Sequence, residues 1–184
     1  MERSAKLRYL LLFAISFLAF SPAMAQQAEG KRNSFFLELG GNGGFYSLNY
    51  DRILMASGGW SLAGRMGAMY YGTDSGGMEA GRSVWLAAPL EVSWLRGRRN
   101  HRLELGLGVT PLYQEYPEEG SSQEKELRLL PVGRVGYRFQ RAEGGMFYKA
   151  GFTPMAQFNH EEASLGRGVF LPWFGLAVGY TLKQ

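Results

Sequence analysis

Seven ionisable residues, Glu38, Asp51, Arg65, Glu91, Glu104, Arg134 and Lys149, recur among Gly, Ala, Ser and Thr on the opposite parity from a row of large apolar side chains. Charges of both signs on one face suit mutual neutralisation in a closed interior, where paired and hydrogen-bonded ions tolerate burial and a lone ion does not. A proton or ion path along the same row is the functional alternative. Nucleophilic chemistry has less to draw on. His101 stands beside Arg98, Arg99 and Arg102, which reads as a solvated basic rim. His160 precedes Glu161 and Glu162, with Ser164 following, so the letters of a Ser/His/Glu set are present. They fall in a loop, which fixes catalytic geometry poorly. The absence of cysteine removes both thiolate metal sites and disulfides. No Cys/His metal spacing, P-loop or dinucleotide fingerprint occurs, and Gly40, Gly41, Gly43 and Gly44 sit in a hairpin, where they cannot cradle a phosphate. The sequence therefore predicts no catalytic residue, no cofactor and no metal.

The elements that must position the seven charges are read from apolar side chains at every second residue. That period predicts strands at about 34–41, 44–53, 59–71, 83–95, 101–113, 126–139, 145–157 and 169–182. In the last, Phe174, Leu176, Val178, Tyr180 and Leu182 point one way, against Trp173, Gly175, Ala177, Gly179 and Thr181. The fifth sets Leu103, Leu105, Leu107, Val109 and Pro111 against Arg102, Glu104, Gly106, Gly108 and Thr110. Helix competes poorly, because Gly, β-branched and aromatic residues recur and no i, i+3, i+4 stripe persists. Strands of nine to eleven residues, tilted by about 40°, span roughly 25 Å, the height of an outer-membrane apolar belt.

Alternation alone does not say which face is inside. A soluble lipocalin-like carrier would turn the apolar face inward around a greasy ligand. The opposite orientation is expected here. Aromatic residues such as Trp60, Tyr70, Trp94, Phe174 and Tyr180 lie near the ends of the apolar rows, where a membrane barrel carries its girdles. Turning the seven charges to lipid would cost about 2–4 kcal/mol for each basic residue near the midplane and less for each acidic one. The total, on the order of 10–20 kcal/mol, rivals the stability of a domain.

The connections alternate in length. Those at about 72–82, 114–125 and 158–168 are long, and those at 54–58, 96–100 and 140–144 are short. Membrane barrels place short turns in the periplasm and long loops outside. The first hairpin, Gly41-Asn42-Gly43, reads as a tight Asn-Gly turn. The outer loops are acidic (Asp74, Glu79, Glu115, Glu118, Glu119, Glu124, Glu161 and Glu162), and the short turns are basic (Arg96, Arg98, Arg99 and Arg141). Loop carboxylates could share divalent cations with lipopolysaccharide phosphates.

Residues 1–25 read as a secretory signal peptide. Arg3, Lys6 and Arg8 precede an apolar run from Tyr9 to Phe20, and Ala23-Met24-Ala25 supplies the cleavage site. A run of about a dozen residues is short for a spanning helix, which needs about 20. Its removal takes three basic and one acidic residue, leaving +2 of the +4 net charge. That balance, with export, argues against a nucleic-acid partner. Mean hydropathy is only −0.18, as expected where lipid-facing and lumen-facing residues cancel. Residues 26–33 are then a short periplasmic segment and 34–184 the barrel domain.

The chain resembles the small eight-stranded outer-membrane β-barrels of Gram-negative bacteria, such as the transmembrane domain of outer-membrane protein A, or outer-membrane protein X. The resemblance rests on the architecture and on Leu37-Glu38-Leu39-Gly40-Gly41, Asn49-Tyr50-Asp51-Arg52, Leu105-Gly106-Leu107-Gly108-Val109-Thr110-Pro111 and Gly151-Phe152-Thr153-Pro154. It implies an all-β, eight-stranded antiparallel up-and-down transmembrane β-barrel after a cleaved signal peptide. It further implies an outer-membrane location, a structural or surface-interaction role, no open pore, and a monomer. The partners would be outer-membrane lipid, lipopolysaccharide and the barrel-assembly machinery. Many such barrels end in an aromatic residue. This chain ends Tyr180-Thr181-Leu182-Lys183-Gln184, which makes Tyr180 the expected assembly signal. Some barrels of this size modify lipids. Lipid A deacylases use a His-x-Ser pair, which is absent here.

Overall fold

The computed structural model describes residues 32–75, 81–117, 123–141, 143–158 and 168–182. The leader, Glu79, Glu118, Glu119, His160, Glu161, Glu162 and Ser164 lie outside the described residues. Strands β1 (Asn33–Gly40), β2 (Tyr46–Ser57), β3 (Trp60–Ser75), β4 (Gly81–Ala87), β5 (Leu90–Arg98), β6 (His101–Pro117), β7 (Gln123–Gln140), β8 (Gly145–Phe152), β9 (Met155–Phe158), β10 (Gly168–Leu171) and β11 (Phe174–Thr181) form one antiparallel sheet. A single 3₁₀ turn, Gly41–Gly43, joins β1 to β2. The sheet closes on itself, because Phe35 of β1 pairs with Tyr50 on one side and with Tyr180 on the other.

The eleven segments make eight staves, since three pairs continue one another across a proline. β4 runs into β5 at Ala88-Pro89, β8 into β9 at Thr153-Pro154, and β10 into β11 at Pro172-Trp173. Proline has no N–H to give the ladder. Neighbouring amides bridge the gaps: Ala88 N donates to Pro111 O at 3.0 Å, Gly133 N to Pro154 O at 2.9 Å, and Thr153 N to Trp173 O at 2.7 Å. With Pro111 and Pro131 on β6 and β7, these prolines make a collar around five adjacent staves at one level.

The wall is inside-out relative to a water-soluble domain. Leu105 and Val178 are 46% and 41% exposed on the outer face, whereas Glu104 and Arg134 are 1% and 3% exposed within. Phe152 also faces outward, half-buried against Phe174, with ring centroids 5.2 Å apart. The lipocalin-like orientation is therefore excluded. An apolar belt running round a closed cylinder far exceeds the patches that soluble monomers expose. Lipid is the solvent it fits.

Three expectations need correction. The strands run further than alternation indicated: β3, β6 and β7 reach Ser75, Pro117 and Gln123, so much of the expected long connections is paired sheet. The first hairpin is not the tight Asn-Gly turn expected, for Gly41, Asn42 and Gly43 form a buried 3₁₀ turn. The left-handed backbone positions fall to Gly40, Gly41 and Gly44 (φ 69°, 65° and 83°) and not to Asn42. A Cβ on Gly41 would sit 2.3 Å from the Glu38 carboxyl carbon, so only glycine lets this turn fold down onto the lumen. Finally, the interior is not restricted to ionic and small residues, for Phe36, Phe147, Ile53 and Leu95 also point inward and are buried.

Candidate functional site: the charged lumen

All seven charges singled out above project from different staves into the interior, and the structure joins them to an eighth, Arg138, which is 0% exposed. The seven alone comprise four carboxylates and three cations. With Arg138 the network holds four carboxylates and four cations. Parity alone could have found it, since it lies four residues after Arg134 on the same face of β7.

The network has two tiers. In the outer tier Arg65 pairs with Glu38 and accepts a second carboxylate, Glu91, at 3.6 Å. Arg134 lies 2.9 Å from Glu38 Oε1 and donates its Nε–H to Glu91 at 3.0 Å. Neutral groups complete the tier: Arg65 Nε donates to Asn49 Oδ1 at 3.0 Å and Ser93 Oγ to Glu91 at 2.6 Å. In the inner tier Arg138 bridges Asp51 and Glu104, and Lys149 Nζ donates to Glu104 Oε1 at 2.8 Å. The Phe36 ring lies between the tiers, with Arg65 5.0 Å and Lys149 4.9 Å from its centroid. The quadrupole of its faces favours those cations. Phe147 receives Arg138 at 5.8 Å.

Neutral hydrogen bonds cross the lumen at either end. Where β1 begins and β11 ends, Gln140 Nε2 donates to Ser34 Oγ at 3.1 Å and to Thr181 Oγ1 at 2.9 Å. At the other end the inturned hairpin acts as a cork. The Asn42 side-chain amide donates to Glu91, Thr110 Oγ1 donates to Asn42 O at 2.9 Å, and Trp173 Nε1 reaches Gly44 O at 3.2 Å. Asn42 is the site residue that sequence reasoning missed, since an Asn-Gly pair signals a surface turn. Such a core can neutralise and brace.

Chemistry requiring a nucleophile finds no constellation among the described residues. His101 Nδ1 hydrogen-bonds the Tyr137 hydroxyl at 2.5 Å on the outer surface and its ring packs against Phe139 at 5.2 Å. Among the described residues no group of His, Asp or Glu could hold a metal ion.

A closed antiparallel cylinder with an apolar exterior and an ion-paired, filled interior is an outer-membrane β-barrel. Solved structures with a similar fold include Ail, the attachment invasion locus protein of Yersinia pestis, in complex with the heparin analogue sucrose octasulfate. That likeness has 10% identity and a TM-score of 0.56, covering 83% of this chain and 97% of that chain. Ail in a second crystal structure gives 11% and 0.55 with the same coverage. The N-terminal β-barrel domain of Pseudomonas aeruginosa OprF gives 15% and 0.43, covering 83% of this chain and 96% of that one. At these identities the likeness is one of fold. No protein-family model and no curated protein matches the chain.

Proposed function

We propose that the chain is a non-catalytic outer-membrane barrel, closed to solutes, whose lumen acts as a brace for an outward-projecting sheet with a structural or surface-interaction role. The observation that carries this reading is the asymmetry of the rim. The β1–β2 hairpin is sunk into the lumen, while β3, β4, β6 and β7 continue past it, paired to Ser75↔Gly81 and Pro117↔Gln123. The projecting wall carries aromatic residues on its concave side. Phe45 packs on Tyr71 and Trp85 at 5.0 and 5.7 Å, and Trp85 meets Tyr116 edge-on at 6.2 Å. Tyr71 and Phe45 remain exposed. Rings ordered by one another and open to solvent suit a partner that stacks.

Ail is known in complex with a heparin analogue, a polyanion. The projecting end of this chain carries Glu115 and Glu126, on β6 and β7. A neutral or cationic surface molecule suits it better. The test is adhesion of cells displaying the folded barrel to surfaces coated with neutral saccharides, polyanions or basic protein. The proposal expects capture by a neutral or basic surface, lost in Tyr71→Ala/Trp85→Ala while the barrel stays heat-modifiable on gels. Capture that is indifferent to both rings contradicts it.

A further inference from the structure

Arg65, Arg134, Arg138 and Lys149 each meet a carboxylate in the lumen, but the opposite arrangement holds on the outer face at the end where β1 begins and β11 ends. There the β5–β6 turn and the β2–β3 turn frame a groove of about 470 Å³ lined by Arg96, Arg98, His101, Arg102 and Tyr137. Arg102 borders the groove through its backbone position opposite Gly97, while its side chain turns to the lumen side and its Nη1 donates to Ser61 Oγ at 3.0 Å. Among the described residues neither Arg96 nor Arg98 forms an ion pair with any carboxylate. The guanidinium groups of Arg96 and Arg98, two residues apart on the exposed face of β5, repel each other, and an anion between them relieves that repulsion.

The groove is also shaped to admit one. Its floor consists of Gly58, Gly59 and Gly97. Gly97 approaches the facing strand so closely that a Cβ would lie 2.0 Å from His101 O. Gly58 and Gly59 adopt φ of 53° and 84°, and a Cβ on Gly58 would meet only open space. The opening is therefore free of side chains, while the cations stand at its margin.

Its position selects the anion. Short turns and chain termini mark the periplasmic end of a membrane barrel. Directly above the groove the outer face becomes apolar, with exposed Leu103, Leu105 and Trp94. A ligand with a phosphate at the groove and acyl chains along that belt satisfies both surfaces. Guanidinium groups bind phosphate oxygens through paired, charge-assisted hydrogen bonds, and basic pockets at a bilayer surface favour anionic headgroups. We propose that this groove is a binding site for the phosphate of an anionic glycerophospholipid of the inner leaflet. The proposal rests on the membrane reading and adds to it a specific lipid contact.

Trp60, which pairs with Arg96 across β3 and β5, and Trp94 lie beside the groove, so their fluorescence is the probe. The folded chain is placed in phosphatidylcholine bilayers with acyl-brominated phosphatidylglycerol or, at equal bromine content, brominated phosphatidylcholine. The site predicts stronger quenching by phosphatidylglycerol. Arg96→Gln/Arg98→Gln should lower that preference at least about fivefold, while Arg141→Gln, at the same end but outside the groove, leaves it intact. Equal quenching by the two lipids overturns the proposal, and so does an equal loss in Arg141→Gln. Abolition of the preference by millimolar inorganic phosphate would make this a soluble-anion site and reject the lipid. In each case a barrel that still inserts and shifts on heating leaves the membrane reading standing.

Discussion

Arg138 and Asp51 meet through two parallel hydrogen bonds across the lumen, Nη1 to Oδ1 at 3.0 Å and Nη2 to Oδ2 at 2.8 Å. They come from β7 and β2, opposite walls of the cylinder, so the pair is a strut as well as a neutralisation. Its planar fork fixes the relative height of two staves that share no hydrogen-bonded edge.

Removing one end of the strut strands the other charge. Arg138→Gln leaves Asp51 without its cation and Glu104 with Lys149 alone, and should cost about 3–5 kcal/mol of stability. Asp51→Asn combined with Arg138→Gln should cost clearly less than the sum of the single changes. Urea unfolding in lipid vesicles, read by gel mobility, measures both. The exposed pair Arg128–Glu126 is the reference, and its loss should cost no more than about 1 kcal/mol.

The cork makes a second demand on sequence. Gly41→Ala puts a methyl group into the Glu38 carboxylate at a left-handed backbone position. Backbone strain and overpacking each cost about 1–3 kcal/mol. Gly44→Ala meets nothing within 4 Å, so only the backbone cost applies. Comparing the two variants by thermal unfolding separates steric from conformational cost, and Gly41→Ala should be the less stable.

Depth along the outer face should also be readable in energy. Leu107→Arg, in the middle of the apolar belt, should destabilise by about 2–4 kcal/mol, and Leu127→Arg, on the projecting part of β7, by about 0–1 kcal/mol. Equal costs at the two positions would remove the distinction between belt and projecting wall.

A filled lumen should not pass solutes. In liposome-swelling assays the folded protein should give no faster uptake of small sugars than empty vesicles. Uptake at porin-like rates would mean that the Asn42 cork and the two ionic tiers are not a seal.

Much of this was legible because alternation is a consequence of sheet geometry. Once Leu103, Leu105 and Leu107 were assigned to one face, Glu104 had to occupy the other. What escaped sequence reading has identifiable causes. Phe36 and Phe147 lie in the runs Phe35-Phe36-Leu37 and Met146-Phe147-Tyr148, where both faces are apolar and the period is blurred. Asn42 turns inward because Glu91, Thr110 and Arg134 on distant strands supply its partners, and no local rule contains them. The upper half of β3 was hidden by Gly72-Thr73-Asp74-Ser75, residues that alone favour a loop but are held in register by Val84, Ser83, Arg82 and Gly81. The repeated Thr-Pro at 110–111 and 153–154 was visible as a phrase. Only the structure shows both threonines buried at the level of the proline collar.

The natural absence of cysteine allows a decisive reading of orientation. Single cysteines at successive positions 103–109 of the folded, bilayer-inserted chain would carry nitroxide labels, and oxygen collision rates would be compared along the strand. High oxygen exposure at 103, 105, 107 and 109, with low values or failed labelling at 104, 106 and 108, is the predicted pattern. The reverse pattern, with the even positions open to lipid-dissolved oxygen, would contradict a barrel that keeps its ions inside and its leucines in the membrane.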